Sequence, residues 1–241
     1  MSTFVLVHGS WHTGASWTAV VARLESKGHT AFAPTLAGHG KGVNKDVSHA
    51  QCVQSLVDFI VGKNLTGFVL VGHSFAGTVI AKAAEIFPER IRRLVFWNAF
   101  VPLDGNCLDD ETPPHYRELF KNLVKASSDN TALIPFPIWR EAFINDGDLE
   151  LACSTYEQLS PEPYRMFTDK LDLKRFYSLE IPKSYINCTE DNALPQGEWG
   201  WHPRMSSRLG LYRLVQMPGS HETLFTNPIG LADKIIEAGR D

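Results

Sequence analysis

No apolar run in this 241-residue chain approaches the roughly 20 residues that a membrane-spanning helix requires. The longest, at 68–72 and 94–100, stop after a few residues, so a membrane-spanning role is excluded. An excess of basic charge is also missing. There are 23 Lys and Arg against 27 Asp and Glu, a net charge of -4. No basic stripe is present to bind nucleic acid. Cysteine is sparse: Cys52, Cys107, Cys153 and Cys188 lie far apart and form no CxxC pair. Such spacing argues against a disulfide frame or a zinc site and for free thiols in a reducing compartment. Met1-Ser2-Thr3 leads straight into Phe4-Val5-Leu6-Val7, with neither the basic region nor the cleavage site of a secretory leader. A cytoplasmic protein is expected.

What the chain does carry is alternation. Short runs rich in β-branched residues, at 4–8, 30–34, 67–72, 93–98, 184–189 and 211–217, predict strands. Longer amphipathic stretches at 16–27, 50–62, 75–86, 198–208 and 228–239 predict helices. The strand runs lack polar alternation and so suit burial on both faces. Strand–helix alternation then implies one mostly parallel sheet of about six strands, flanked by helices and joined by right-handed crossovers. The rhythm breaks from 103 to 180. That segment holds Pro113-Pro114, Pro135-Phe136-Pro137 and Pro161-Glu162-Pro163, many aromatic residues and no convincing strand. A structureless loop of that length does not fit a compact domain. It is read as a helical cap, inserted in a core formed by 1–102 and 181–241.

The strand at 67–72 runs directly into Gly72-His73-Ser74-Phe75-Ala76-Gly77 and then a helix. This is the setting in which G-x-S-x-G builds a sharp turn that raises a nucleophilic serine above the sheet. Neighbours two residues to either side must be small. Gly72 is, and Ala76 adds only one methyl, with Gly77 beside it. The helix start offers the Phe75 N–H to a developing oxyanion. The first strand ends in His8-Gly9-Ser10-Trp11, whose turn offers the N–H of Ser10 as a second donor. His8 and His12 are not read as a metal pair, because a loop is expected there.

A raised serine needs a base, and the base needs an acid to hold its tautomer. In such sheets the chain order is serine, acid, histidine, each at a strand's carboxyl end. The loop after 184–188 reads Thr189-Glu190-Asp191-Asn192, giving Asp191 as the acid with Glu190 as the alternative. The loop after the last strand, Met217-Pro218-Gly219-Ser220-His221-Glu222, holds the only histidine beyond residue 202, and His221 is taken as the base.

These residues resemble the hydroxynitrile lyase and plant methyl esterase branch of the α/β-hydrolase superfamily. The likeness runs from Phe4-Val-Leu-Val-His-Gly9 and Gly38-His-Gly40 through Gly72-His-Ser-Phe-Ala-Gly77 and Tyr156-Glu-Gln-Leu-Ser-Pro161. It continues to Cys188-Thr-Glu-Asp191 and Gly219-Ser-His221. The resemblance implies an α/β-hydrolase fold and cofactor-free action on small esters or cyanohydrins beneath a helical cap. Lyases of this branch carry a threonine after the strand-end histidine and a lysine after the catalytic one. Here Gly9 and Glu222 stand there, and no cation is poised for departing cyanide.

The expectation is therefore a carboxylic ester hydrolase working through an acyl-enzyme, with no metal and no cofactor. Its partner is a small hydrophobic or aromatic ester, bound with help from Trp11, Phe136, Trp139 and Tyr156. A homodimer is left open. The competing expectations are lyase or cofactor-free dioxygenase chemistry on the same fold, and non-catalytic binding of a small ligand.

Overall fold

Runs such as Phe-Val-Leu-Val-Gly-His have no polar face to give to water. In the computed structural model, which describes residues 1–241, they become strands covered on both sides. Six strands form one sheet: β1 (Thr3–Val7), β2 (Thr30–Phe32), β3 (Phe68–His73), β4 (Ile91–Trp97), β7 (Lys183–Cys188) and β8 (Tyr212–Met217). Their order is β2-β1-β3-β4-β7-β8, and every pairing is parallel.

Alternate residues serve opposite layers, as the pleat requires. Val5, Val7, Leu70, Leu94 and Phe96 pack beneath helices α2 (His49–Gly62) and α3 (Ala76–Ile86). Phe4, Leu6, Val69, Val71, Val95 and Trp97 pack against α1 (Thr18–Ser26) and α6 (Pro228–Ala238). Local chemistry sets the helix starts. Ser48 and Gln51 form a reciprocal capping box on α2, and the Asn227 side chain accepts from Gly230 N–H ahead of α6.

The chain places β2 on one side of β1 and β3 on the other. Loops leaving β1 and β3 therefore part company, and a crevice opens above their carboxyl ends. Ser10 follows the first of these strands and Ser74 the second.

Two sequence expectations fail. No helix spans 198–208; the segment is a series of turns closed by a short 3₁₀ helix, Ser206–Leu209. Pro203 cannot donate a helical hydrogen bond, and Gly197 and Gly200 weaken the run further. The segment between β4 and β7 is helical in pieces, with α4 (Pro114–Ala126) and α5 (Leu149–Tyr156) the longest. It also contains an antiparallel ribbon, β5 (Thr131–Ala132) with β6 (Glu162–Pro163), where no strand is expected.

Candidate active site

Ser74 sits at the end of β3 with φ of 56°, a left-handed conformation that costs a non-glycine residue of order 1–3 kcal/mol. The surroundings hold it there. Its N–H donates to the Trp97 carbonyl at 3.2 Å, and its own carbonyl accepts from Gly77 and Phe100 N–H, each at 3.1 Å. Thin neighbours make this turn possible. A Cβ on Gly72 would lie 2.9 Å from the Ala76 carbonyl oxygen, and one on Gly77 only 2.1 Å from that of Phe100. Gly72 and Gly77 are thus both needed as glycines, Gly77 the more stringently, while Ala76 is accommodated.

His221 Nδ1–H donates to Asp191 Oδ2 at 2.6 Å, with both side chains buried. The Asp191 carboxylate is otherwise satisfied: Oδ1 accepts from Ala193 N–H at 2.8 Å and Oδ2 from Asn98 Nδ2. Asn98 in turn accepts from Cys188 N–H at 2.8 Å, tying β4 to β7 behind the acid. Asn98 escaped the sequence reading. The signal was a lone polar residue within the apolar run at 94–100. Glu190, the alternative acid, is exposed and accepts from Gly219 N–H instead. Burial opposes a charge on His221, but the adjoining Asp191 carboxylate and its hydrogen bond outweigh burial and raise the pKa above 6.5.

The turn after β1 lies against the elbow. A Cβ on Gly9 would sit 2.9 Å from His73 Nδ1 and 3.1 Å from Ser74 Cβ, so only glycine lets the two turns meet. The N–H groups of Ser10 and Phe75 have no acceptor in the protein. His8 stays out of the cavity: Nδ1–H donates to the Gly9 carbonyl at 2.9 Å, and Nε2 accepts from Leu36 N–H at 3.1 Å. That fixes a neutral tautomer, matching a pKa driven well below 6.5, mainly by burial. His12 turns away to Glu222, at 3.0 Å.

Ser10, Trp11, Ser74 and His221 all line one cavity, walled by Tyr116, Phe120, Phe143, Phe167 and Trp201 among others. No hydrogen bond joins Ser74 to His221, and both face the same space. Of the four aromatic residues expected to hold substrate, only Trp11 lines the cavity. Phe136 and Tyr156 pack on each other at 5.2 Å, outside it, and the Tyr156 hydroxyl donates to the Ile134 carbonyl. Trp139 is wholly buried one layer back, stacked on Phe143 at 6.1 Å. They support the wall without forming it. The wall includes Tyr116 and Phe120 of α4 and also Trp201, which has no role in the sequence analysis.

Residues 4–234 match the model of the alpha/beta hydrolase family. The chain belongs to the α/β-hydrolase family. Within it, a carbendazim hydrolyzing esterase from Nocardioides is 36% identical over 99% of this chain and 100% of its own length. Methylesterase 1 of Arabidopsis thaliana is 29% identical over 97% of this α/β-hydrolase and 94% of its own length. Among solved structures, an α/β-hydrolase from a Paenibacillus species superposes with a TM-score of 0.98 at 45% identity, with full coverage of both chains. That relative is described as extracellular and as sharing structural and functional homology with tobacco salicylic acid-binding protein 2. In this α/β-hydrolase no helix is long and apolar enough to cross a membrane.

Proposed function

We propose that this α/β-hydrolase cleaves small hydrophobic or aromatic carboxylic esters through an acyl-enzyme on Ser74. The observation that carries the reading is the common cavity. A serine in left-handed conformation and a histidine braced by a buried carboxylate face one apolar space, beside two N–H groups without acceptors.

In this mechanism His221 Nε2, free because Nδ1–H is committed to Asp191, takes the Ser74 hydroxyl proton as Oγ attacks the acyl carbon. The oxyanion is received by the amides of Ser10 and Phe75. Collapse expels the alcohol, which leaves with the proton from His221. Water then attacks the acyl-enzyme, giving its proton to His221, and Ser74 recovers a proton as the acid departs. One oxyanion donor is typically worth about 10²–10³ in rate. Residues 103–180 act in this proposal as the cap that shapes the acyl site.

Two positions weigh against lyase chemistry. The close approach at Gly9 leaves no room for a threonine side chain there. Glu222, where a lysine would stand, is a buried carboxylate paired with His12. The esterase names of the Nocardioides and Arabidopsis relatives point the same way. The four cysteines are free, which supports a reducing compartment and hence the cytoplasm. The partner in this reading is a small-molecule ester.

The test is a panel of p-nitrophenyl and aryl methyl esters, with wild type and Ser74→Ala compared. Turnover by wild type and its near-complete loss in the variant is the expected result. Equal rates in the two proteins would refute the serine mechanism, and a folded but inactive wild type would move binding or other chemistry ahead of hydrolysis.

A further inference from the structure

The oxyanion turn is fastened from outside the core. Trp11, next to the proposed donor Ser10, has φ of 65°, unusual for a bulky residue. Each of its polar backbone and side-chain groups is engaged by the β5–β6 ribbon or the residues leading into it. Trp11 N–H donates to Glu162 Oε2 at 2.8 Å, and its indole N–H to the Ala132 carbonyl at 3.0 Å. Its carbonyl accepts from Ser160 N–H at 2.9 Å. Ala132 and Glu162 are register partners in the ribbon, so both donors of Trp11 are received by one cross-strand pair.

Glu162 is wholly buried. Its second oxygen accepts from His39 Nε2–H at 3.0 Å, and His39 Nδ1–H donates to the Ala37 carbonyl at 3.0 Å. Both ring nitrogens therefore act as donors, which only the imidazolium can do. Burial opposes that charge, yet the Glu162 carboxylate raises the His39 pKa to about 10. The His39 ring also stacks on Phe75, whose N–H is the other proposed donor, with centroids 5.7 Å apart. One carboxylate thus fixes a backbone amide beside Ser10 and the cation packed on Phe75.

We infer that Glu162 is the positioning residue of the oxyanion hole, setting the Ser10 and Phe75 amides through Trp11 and His39 without touching substrate. The inference rests on the proposed hydrolase reading of the site. Its physical ground is that an oxyanion hole works only when its donors are held before charge develops. A carboxylate is the strongest acceptor for fixing an amide that would otherwise relax from a strained φ.

Kinetics and hydrogen exchange on the full chain test this. In Glu162→Ala, kcat should fall roughly 10- to 100-fold, less than outright loss of a donor and of the order that a misplaced group costs. KM should change little, while affinity for phenylboronic acid, whose Ser74 adduct carries a tetrahedral oxyanion, weakens in step with kcat. Glu162→Gln should recover most of the rate: its carbonyl can accept from Trp11, and its amide can donate to a neutral His39. Glu162→Met, which fills the space without an acceptor, replaces the alanine variant if that one does not fold. Unchanged kcat and boronate affinity in Ala or Met, or a Gln variant as slow as Ala, would overturn the inference. If wild type hydrolyses no ester, the hydrolase reading fails on its own. The clamp is then judged by exchange of the Trp11 amide: slow in wild type and fast in Ala or Met if it exists, equal in both if it does not.

Discussion

The indole of Trp201 lies flat against the His221 imidazole, with ring centroids 5.1 Å apart and planes 14° from parallel. Phe143 meets the same imidazole edge-on at 5.3 Å and 87°. The hydrogen bond to Asp191 fixes one nitrogen of His221, and these two rings limit its swing about that bond.

Trp201→Ala should therefore slow turnover about tenfold, with less change in KM. It should also destabilise the fold by about 3–5 kcal/mol, the usual range for a buried tryptophan. Trp201→Phe keeps a flat apolar face and should retain most activity. Steady-state kinetics with urea unfolding separate the two effects; equal kcat in all three proteins would remove Trp201 from the site's machinery.

The pH profile follows from Asp191. In the proposed mechanism His221 acts as the neutral imidazole, and the Asp191 carboxylate raises its pKa against the opposing pull of burial. The acid limb of kcat/KM should thus lie above that of an ordinary imidazole. Asp191→Asn should lower the rate by about 10⁴, as a misheld tautomer does, and move the limb to lower pH. A profile of log kcat/KM against pH in both proteins checks the sign; an upward shift in the variant would contradict it.

Buried histidines give the fold its own pH dependence. Burial lowers the pKa of His49 to about 4 and drives His8 and His73 well below 6.5. A depressed histidine pKa contributes stability above 6.5 that is lost as pH falls toward the folded value. His39 works in the opposite sense: raised to about 10, it stabilises fully below 6.5 and loses that contribution as pH climbs to about 10. Stability should peak near neutrality. Urea midpoints at pH 7 and pH 5 should drop in wild type and drop less in His49→Gln; an identical drop would exclude His49 as a source.

Tyr116, Phe120 and Phe167 form a stack of three rings along the cavity wall, at 5.9 and 5.0 Å between centroids. Removing the middle ring in Phe120→Ala should favour bulkier acyl groups, lowering kcat/KM for acetyl esters relative to benzoyl esters of the same alcohol. Phe136→Ala, outside the cavity, should leave that ratio unchanged. A ratio that moves only in Phe136→Ala would misplace the acyl site.

All six core strands were legible as short runs rich in apolar residues, the four inner ones buried at nearly every position and the edge strands β2 and β8 only in part, and the elbow was legible because Gly72, Ser74 and Gly77 meet a steric demand. The β5–β6 ribbon was not. Strands of two residues, Thr131–Ala132 and Glu162–Pro163, are too short to show a period. Glu162 was hidden for a related reason, since its partners Trp11 and His39 are 151 and 123 residues away in sequence. Phe136, Trp139 and Tyr156 look no different in sequence from the aromatic residues that do face the cavity. Which ring lines a wall and which props it from behind is decided by packing, and sequence carries no signature of that choice.

The most direct test of the central claim is intact-mass analysis after mixing the protein with a slow-leaving aryl ester or an aryl phosphonate, followed by peptide mapping. The account predicts one adduct per chain, on Ser74, absent in Ser74→Ala and slowed in Asp191→Asn. Ester hydrolysis at full rate with no adduct on Ser74, or an adduct that persists in Ser74→Ala, would contradict it.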